Sequence, residues 1–523
     1  MMTRWRKAAV LIAAGITVVI AVIEVHDRSS SGALERYKAG LRAHGEKLKV
    51  TEIAIGPTTD VDFIAARQAI SRPGLFASPV MIVDLVKYIA PGKARVAWRG
   101  ELDLAAFATG TNRLPPTWEA FIESEKQAEP GLCTLRAALE NCPPDIGWKW
   151  QNDFANLTNW PGRTFVRDRY IAQALYNAAI VDLRESNLDA AITNLHALIM
   201  LTRLNRNEPT LLSQMIRIAI AQTALMTTWE ALQAQGWDEQ RLAALQHDLE
   251  QMSFIDGLEM SFEAERAFGQ IRMEKLRNSS LAGMSSFLVQ MQSSSKSYPG
   301  SSGVPALDAL DRFFKSTWEN KILPAVYRAS SINEDELMQL KTSTETLEAV
   351  RLLKQGHPWP EVAAALTNVM REVDETFRKD AFGRLVVSRM AIPSFERAVL
   401  VEAQTDTRRN LTITAIAIRR YQLSHGTAPP SLAALAPEFL TAVPVDPMSS
   451  KPLCYHASAG GNFTLYSTGE DGVDNGGDAT VVKTGGKPGL WEGRDAVWPA
   501  AATVEEQTMA DAAVVLPIAG SSR

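Results

Sequence analysis

Cysteine is scarce in this chain, which limits what can hold it together. Three cysteines among 523 residues are too few for a disulfide scaffold. Cys133 and Cys142 are nine positions apart, and on one continuous helix they would lie on opposite faces, about 13 Å apart along the axis, beyond the reach of a bridge. A bridge requires the helix to end early, as Asn141 and the prolines after it would permit. Two interpretations remain open: two small buried apolar residues, or a disulfide.

The chain also lacks an excess of basic charge. Its formal net charge is −5 at pH 7, so no basic footprint indicates a nucleic-acid partner. Hydrophobic residues make up 46% and charged residues 22%, which is ordinary for a globular protein. At 523 residues the chain is long enough for roughly two to four domains.

Motifs of catalysis are missing too. There is no H-E-x-x-H, G-x-S-x-G or G-x-x-x-x-G-K-[ST] motif, and the seven histidines are scattered. Glu259, Glu263 and Arg266 share one helical face, where paired carboxylates could perform acid–base catalysis but a solvated face with charge contacts is the ordinary interpretation. His425 follows a helix end and is interpreted as a cap or turn residue. We therefore predict a protein that is not an enzyme.

One long hydrophobic run is present, near the N-terminus. Residues 8–25 are almost free of charge, and a run of this length is near the minimum for spanning a bilayer. Arg4, Arg6 and Lys7 precede it, and this basic flank predicts a cytoplasmic N-terminus. The alternative is a cleaved signal peptide, although no A-x-A cleavage site follows the run. We predict an uncleaved single-pass anchor at residues 1–30 in a bacterial inner membrane, with the bulk in the periplasm.

The middle of the chain has the apolar spacing of helices. Residues 31–110 are of mixed character and begin with a helix-like stalk. Residues 111–278 predict an α-helical bundle or short solenoid. Within it, the stretches 167–186 and 188–207 resemble one tetratricopeptide-type hairpin, although no repeat of about 34 residues follows. Ala191 is predicted to lie in the seam between these helices.

Composition divides the rest of the chain. Residues 279–305 are rich in Ser and Gly, which predicts a mobile linker. Helical patterns resume over 306–394 as a second helical segment. Residues 499–523 are predicted to be a disordered tail. Between them lies the segment 395–498, whose order of residues is the most specific pattern in the chain.

The segment 395–498 begins with a long predicted helix and ends in an acidic loop. Its landmarks are, in order, Arg420-Tyr421, His425-Gly426, Ser431-Leu432-x-x-Leu435, Asp446-Pro447, Tyr455, and L-Y-S-x-G-x-D-G at 465–472. This order resembles the C-terminal domain of the major pseudopilin (protein G) of type II secretion. The resemblance implies a small α+β module in which the helix lies against an antiparallel sheet, with strands at 453–457 and 463–467.

The acidic loop G-E-D-G-V-D-N-G-G-D is the candidate site. It offers Asp471, Asp474, Asn475 and Asp478, and oxygen ligands on a tightly turning backbone suit Ca²⁺, although the spacing is not that of an EF-hand. In major pseudopilins the corresponding loop binds calcium, so the resemblance implies Ca²⁺ here, with Ala479 replacing the second acid of the family's pair. The alternative is a solvated turn in which Asn and Gly supply left-handed conformations.

Two classes of function remain open. The resemblance favours a membrane-anchored, non-enzymatic envelope protein, a structural or interaction component related to type II secretion, whose partners are the membrane and other envelope or secretion proteins. The anchor departs from the pseudopilin pattern, since Ile16 and Ile20 stand where the family has Phe and Glu. The alternative is a membrane-anchored periplasmic hydrolase with its site in the helical domain. The predicted fold is mostly α: a transmembrane helix, a helical bundle or short solenoid, and a small α+β pseudopilin-like module.

Overall fold

The computed structural model describes residues 2–53, 86–100, 117–140, 162–203, 206–293, 322–380, 384–391, 395–482 and 485–515. The chain is mostly helical with few strands, which confirms the prediction of a mostly α class. The helices are α1 (Met2–Ala43), α2 (Trp118–Glu140), α3 (Gly162–Arg184), α4 (Leu188–Leu201), α5 (Leu211–Leu232), α6 (Glu239–Glu250), α7 (Ile255–Asn278), α8 (Leu281–Ser293), α9 (Leu323–Val326), α10 (Ile332–Lys354), α11 (Trp359–Lys379), α12 (Ser388–Ala391), α13 (Phe395–His425) and α14 (Val504–Val515).

The strands are short. They are β1 (Tyr88–Ala90), β2 (Lys93–Ala94), β3 (Val445–Asp446), β4 (Lys451–Pro452), β5 (Cys454–Ala457), β6 (Phe463–Ser467), β7 (Ala496–Val497) and β8 (Ala500–Ala501). The chain forms two compact units. The first comprises Met1–Ala54, Glu259–Ala349 and Ala364–Arg397, and the second comprises Ile55–Leu258, Val350–Ala363 and Ala398–Arg523.

The predicted membrane anchor falls within α1. Among the residues that the structure describes, no helix is both long enough and apolar enough to cross a membrane. Most side chains of residues 8–25 lie outside the described set. The anchor therefore stays a prediction.

The first unit contains a face that is more buried than the sequence predicts. Glu263 and Arg266 were predicted on a solvated face, but the residues are only 7% and 1% exposed. Lys47 Nζ lies 2.9 Å from Glu263 Oε2, and Arg266 Nη2 lies 2.6 Å from Glu46 Oε2. Because each charge meets an opposite charge, the face is buried without leaving these two groups uncompensated.

The predicted linker is also wrong over part of its length. Within 279–305, Leu281–Ser293 form α8, and residues 294–305 lie outside the described set. Ser280 Oγ accepts the N–H of Gly283 at 3.1 Å, which satisfies a donor at the start of the helix. Met284 and Leu288, one turn apart, are buried in an apolar cluster of this unit. This burial outweighs the Ser-rich composition.

The second unit contains the predicted helical hairpin. The helices predicted at 167–186 and 188–207 are observed as α3 and α4. Asn187 precedes α4, and its side chain accepts the N–H of Ala190 at 3.2 Å, so it caps the helix. Ala191 is fully buried, as predicted for the seam.

Of the two cysteines predicted to be buried or bridged, the structure describes only Cys133. Cys133 lies on α2 and is exposed, so its interpretation as a buried apolar residue is wrong. Cys142 lies outside the described residues, as do residues 54–85 and 101–110 of the membrane-proximal region.

The predicted disordered tail, 499–523, is wrong up to Val515. Strand β8 pairs in parallel with β2, and α14 follows. Thr503 and Glu506 cap this helix reciprocally: the Glu506 N–H donates to Thr503 Oγ1 at 3.2 Å, and the Thr503 N–H donates to Glu506 Oε2 at 2.9 Å. Lys93 Nζ also donates to Glu506 Oε1 at 2.5 Å. The sequence T-V-E-E carries this capping signature.

The C-terminal segment joins a long helix to a small sheet. Strand β5 pairs antiparallel with β6, and β6 pairs antiparallel with β7. The strands predicted at 453–457 and 463–467 are observed as β5 and β6. Leu411 and Ile418 of α13 are buried in the same apolar cluster as Leu465 of β6. The candidate site follows β6 directly.

Candidate functional site in the C-terminal acidic loop

The acidic loop leaves the sheet at the end of β6 and returns to it at β7. Its backbone turns tightly, and Gly477 shows why glycine is required there. Gly477 has φ of +82°, and a Cβ at this position would lie 3.0 Å from Cγ2 of Thr464. A side chain would therefore meet both backbone strain and the neighbouring strand.

The carboxylates predicted as calcium ligands accept hydrogen bonds from the loop's own backbone. Asp471 Oδ1 accepts the N–H of Val473 at 3.0 Å, and Asp478 Oδ1 accepts the N–H of Thr480 at 2.9 Å. Each contact closes a turn two residues after the aspartate. The hydrogen bonds with Thr480 hold the pKa of Asp478 below its ordinary value, as expected when donors favour the charged form.

Asp474 connects the loop to the sheet. Its Oδ1 accepts the N–H of Gly476 at 2.9 Å and the hydroxyl of Tyr466 at 2.9 Å. The Tyr466 hydroxyl also lies 3.0 Å from Nε2 of His456. The bond from Gly476, followed by that from Tyr466, lowers the pKa of Asp474. These donors favour the charged form of the Asp474 carboxylate.

Asp495 organises the loop, although the sequence did not indicate it. The side chain lies just before β7 and is 1% exposed. Its Oδ2 accepts the N–H groups of Asn475 at 3.1 Å, Gly477 at 2.8 Å and Asp478 at 3.1 Å. Asn475 and Asp478 are thus brought together through their backbones rather than through their side chains.

The carboxylate of Asp446 also accepts several hydrogen bonds, at the turn before β4. This residue of the Asp-Pro turn is 1% exposed. Its Oδ1 accepts the Ser467 hydroxyl at 2.9 Å and the Met448 N–H at 3.0 Å, and its Oδ2 accepts the Thr468 N–H at 3.2 Å. Burial raises the pKa of Asp446, and the hydrogen bonds oppose that shift. One buried carboxylate thus ties the turn to the end of β6.

A further contact ties the loop to α13. Gln404 Nε2 donates to Oε1 of Glu470 at 2.6 Å. At the far end of that helix, the rings of His425 and Tyr421 stack with centroids 4.0 Å apart. This contact agrees with the interpretation of His425 as a helix-end residue.

The structure does not bring the carboxylates of the predicted ligand set together at one point. In the part of the chain that the structure describes, no three His, Cys, Asp or Glu side chains are grouped so that they could hold a metal ion. Asp471, Asp474 and Asp478 instead each accept the N–H group two residues further on, and Asp474 also accepts the Tyr466 hydroxyl. Because Ca²⁺ takes about six to eight oxygen ligands, binding would require the loop to turn these carboxylates toward one point. The calcium hypothesis stays a prediction.

Comparisons with known proteins found no similar protein. No protein-family model, no curated protein and no solved structure matches the chain. The likeness to the major pseudopilin therefore rests on the order of residues in the C-terminal segment alone.

Proposed function

We propose that the chain is a membrane-anchored, non-enzymatic envelope protein and that its C-terminal segment, 395–498, is a pseudopilin-like module. In this proposal residues 8–25 cross the bacterial inner membrane once. The N-terminus lies in the cytoplasm and the bulk of the chain lies in the periplasm. There the chain acts as a structural or interaction component related to type II secretion.

One observation supports this proposal more than any other. A long helix, α13, is followed by the antiparallel sheet β5–β6–β7, and helix and sheet share an apolar cluster. This is the architecture that the resemblance implies. The aspartate of the Asp-Pro landmark, Asp446, also ties the turn to the L-Y-S landmark through Ser467, so two parts of the matched pattern are in contact.

The topology is tested by protease treatment of spheroplasts that produce the full-length chain. We expect the protease to digest the region after the anchor and to leave a small membrane-bound N-terminal fragment. Full protection of the chain would contradict the proposed orientation. A mature protein that begins near Ser29 would contradict the anchor.

The link to secretion is tested by disrupting the gene and measuring the enzymes that the bacterium releases into the medium. We expect release to fall and the same enzymes to accumulate in the periplasm. The full-length chain should restore release, whereas a chain lacking 395–498 should not. Normal release in the disrupted strain would refute the secretion role and leave the topology intact.

The role of calcium is tested by melting the full-length chain in millimolar calcium and in chelator. A ligand that binds only the folded state stabilises it by about 2.7 kcal/mol at a hundredfold excess over Kd. We expect the melting temperature to be higher in calcium. Asp471→Ala should remove the difference, and Asp374→Ala, at an exposed position on α11, should keep it. Equal melting in calcium and chelator would leave the loop as a turn.

A further inference from the structure

A cleft outside the C-terminal segment has the features of a small-molecule site. It has a volume of about 560 Å³ and lies between α2, α4 and α6. One face of α4 forms its floor, where Ile192, His196 and Met200 follow one another at intervals of one turn. Clefts that bind small ligands commonly measure about 300–1,000 Å³ and combine an apolar lining with a few polar groups. The volume of this cleft lies in that range, and it combines the apolar side chains of its floor with polar and charged groups at its walls.

The central polar group is a histidine held by an aspartate. His196 Nδ1 lies 2.8 Å from Oδ2 of Asp248. Among the described residues, the other ring nitrogen, Nε2, has no hydrogen-bond partner, and the side chain is 42% exposed. Asp248 therefore fixes the orientation of the ring, and the protonated ring has an Nε2–H to donate to a ligand.

Two arginines line the same cleft and are fixed in place. Arg136 Nη1 donates to Asn194 Oδ1 at 2.9 Å and to Glu129 Oε2 at 3.3 Å, and its Nη2 donates to Glu129 Oε1. Arg241 Nη2 lies 2.7 Å from Asp189 Oδ1, and its Nη1 donates to Gly236 O at 2.9 Å and to Asp238 Oδ2 at 3.2 Å. A guanidinium has five N–H donors, so these contacts leave donors for a further acceptor. Because both arginine side chains are already held in place, they would lose little conformational freedom when a ligand binds.

The charges around the cleft limit the kind of anion that it can receive. His196 is faced by Arg136 and Glu140 from α2, by Arg203 beyond the end of α4, and by Asp238, Arg241 and Asp248 at α6. Glu129 and Asp189 pair with Arg136 and Arg241. With them, five carboxylates meet three guanidinium groups and the protonated His196, so positive charge is not in excess and a multiply charged anion meets repulsion as well as attraction. A singly charged anion with an apolar body suits both the charge balance and the apolar floor.

We propose that the cleft binds small monocarboxylates with an apolar body. The carboxylate accepts the Nε2–H of protonated His196 and an N–H of Arg136, and the apolar body lies on Ile192 and Met200. No part of this site belongs to the pseudopilin-like module, so the inference is independent of the function proposed above.

The site predicts a definite pH dependence. The hydrogen bond with Asp248 raises the pKa of His196 above its ordinary value. The ring is therefore protonated at a higher pH than usual, and the anion is bound best below the folded-state pKa. Above it the protonated fraction falls about tenfold per pH unit, and the apparent Kd rises in proportion.

Benzoate and benzamide form a matched pair of probes, because they share a ring and differ in charge. Calorimetry on the purified full-length chain should detect the binding of benzoate at about pH 6. At about pH 8.5 the Kd for benzoate should be at least about tenfold higher. Benzamide should bind at least about tenfold more weakly than benzoate at the lower pH. Equal binding of the two probes, or no heat from benzoate at millimolar concentration, would overturn the proposal.

Two histidine variants assign the site. His196→Gln keeps a polar side chain but cannot carry the charge, and it should weaken benzoate at least about tenfold at pH 6. His247→Gln, one residue before Asp248 and exposed, should bind benzoate as the unaltered chain does. Unchanged binding in His196→Gln would overturn the assignment.

A third variant covers the case in which His196→Gln does not fold. Ala244 lines the cleft from an exposed position on α6. Ala244→Trp should fill the cleft, preserve the melting temperature and abolish benzoate binding. If this variant binds benzoate normally, the ligand lies elsewhere and the proposal fails.

Discussion

The helical hairpin and the C-terminal sheet, both in the second unit, bury their chains in different ways. The hairpin α3–α4 buries apolar and small side chains, among them Ala191 and Leu195, and its helices satisfy their own backbone groups. The C-terminal sheet has a strand of two residues, β7, and so offers few ladder partners. There the carboxylates of Asp446 and Asp495 accept the free N–H groups. Where regular structure is short, buried acids supply the acceptors that the backbone requires.

Removing Asp446 should have the largest effect. Asp446→Ala leaves the Ser467 hydroxyl and the N–H groups of Met448 and Thr468 without this acceptor, and each unsatisfied buried group costs ~1–3 kcal/mol. We expect the free energy of unfolding to fall by more than ~3 kcal/mol, measured by urea denaturation of the full-length chain. Asp446→Asn, which keeps one acceptor oxygen, should lose less. If Asp446→Ala loses less unfolding free energy than Asp446→Asn, the proposed role of the carboxylate is contradicted.

Enlarging the hairpin seam should have the next largest effect. Ala191→Leu adds volume at a fully buried position, and overpacking typically costs ~1–3 kcal/mol. Ala364→Leu, on the exposed side of α11, serves as the control and should be nearly neutral. If both variants have the same melting temperature as the unaltered chain, Ala191 does not lie in a tight seam.

Glu125 tests what happens when a buried carboxylate lacks several donors. Burial raises its pKa to about 7, and only a 3.4 Å hydrogen bond from Asn177 Nδ2 opposes that. A raised folded-state pKa gives stability that is present below the unfolded value of 4.5 and is lost as the pH rises through about 7. Glu125→Gln should therefore stabilise the chain by about 1–2 kcal/mol at pH 8, allowing for partial exposure.

The measurement for Glu125→Gln is the free energy of unfolding at both ends of that range. At pH 5 the folded carboxyl is already neutral, so the gain should be much smaller. An equal gain at the two pH values would show that the variant acts through packing and not through charge.

These regions also differ in how far the sequence predicts them. Apolar spacing predicted α3 and α4, a signal that depends only on near neighbours, whereas β5 and β6 were predicted from the resemblance to the pseudopilin domain. The same approach missed α8, where Met284 and Leu288 outweigh serine, and α14, whose cap at Thr503 was present in the sequence. In both segments, 279–305 and 499–523, composition alone led to a wrong prediction of disorder.

The sequence predicted where the candidate site lies, but not which groups its carboxylates contact. Four oxygen-bearing side chains in one loop indicated a ligand set, and the structure turns the carboxylates of Asp471 and Asp478 onto their own backbone. The residue that organises the loop, Asp495, lies 20 positions after Asn475. Its role depends on where the chain returns to the sheet, which no local pattern of residues specifies.

The smallest global effect is expected from removing Asp495. Asp495→Ala frees the N–H groups of Asn475, Gly477 and Asp478, but these lie in a surface loop where water can replace the acceptor. The loop should open locally without unfolding the sheet, because exposed loops open at low cost. We expect a change of less than ~1 kcal/mol in the free energy of unfolding.

Hydrogen exchange is the measurement that isolates this effect. In Asp495→Ala the amides of Asn475, Gly477 and Asp478 should lose their protection, whereas the amides of β6 should keep theirs. Asp471→Ala is the matched control, because Asp471 accepts the N–H of Val473 and none of these three. Protection that survives in Asp495→Ala, or that is lost equally in both variants, would mean that the loop is held by its own turns. The C-terminal segment would then depend on one buried carboxylate, Asp446, instead of two.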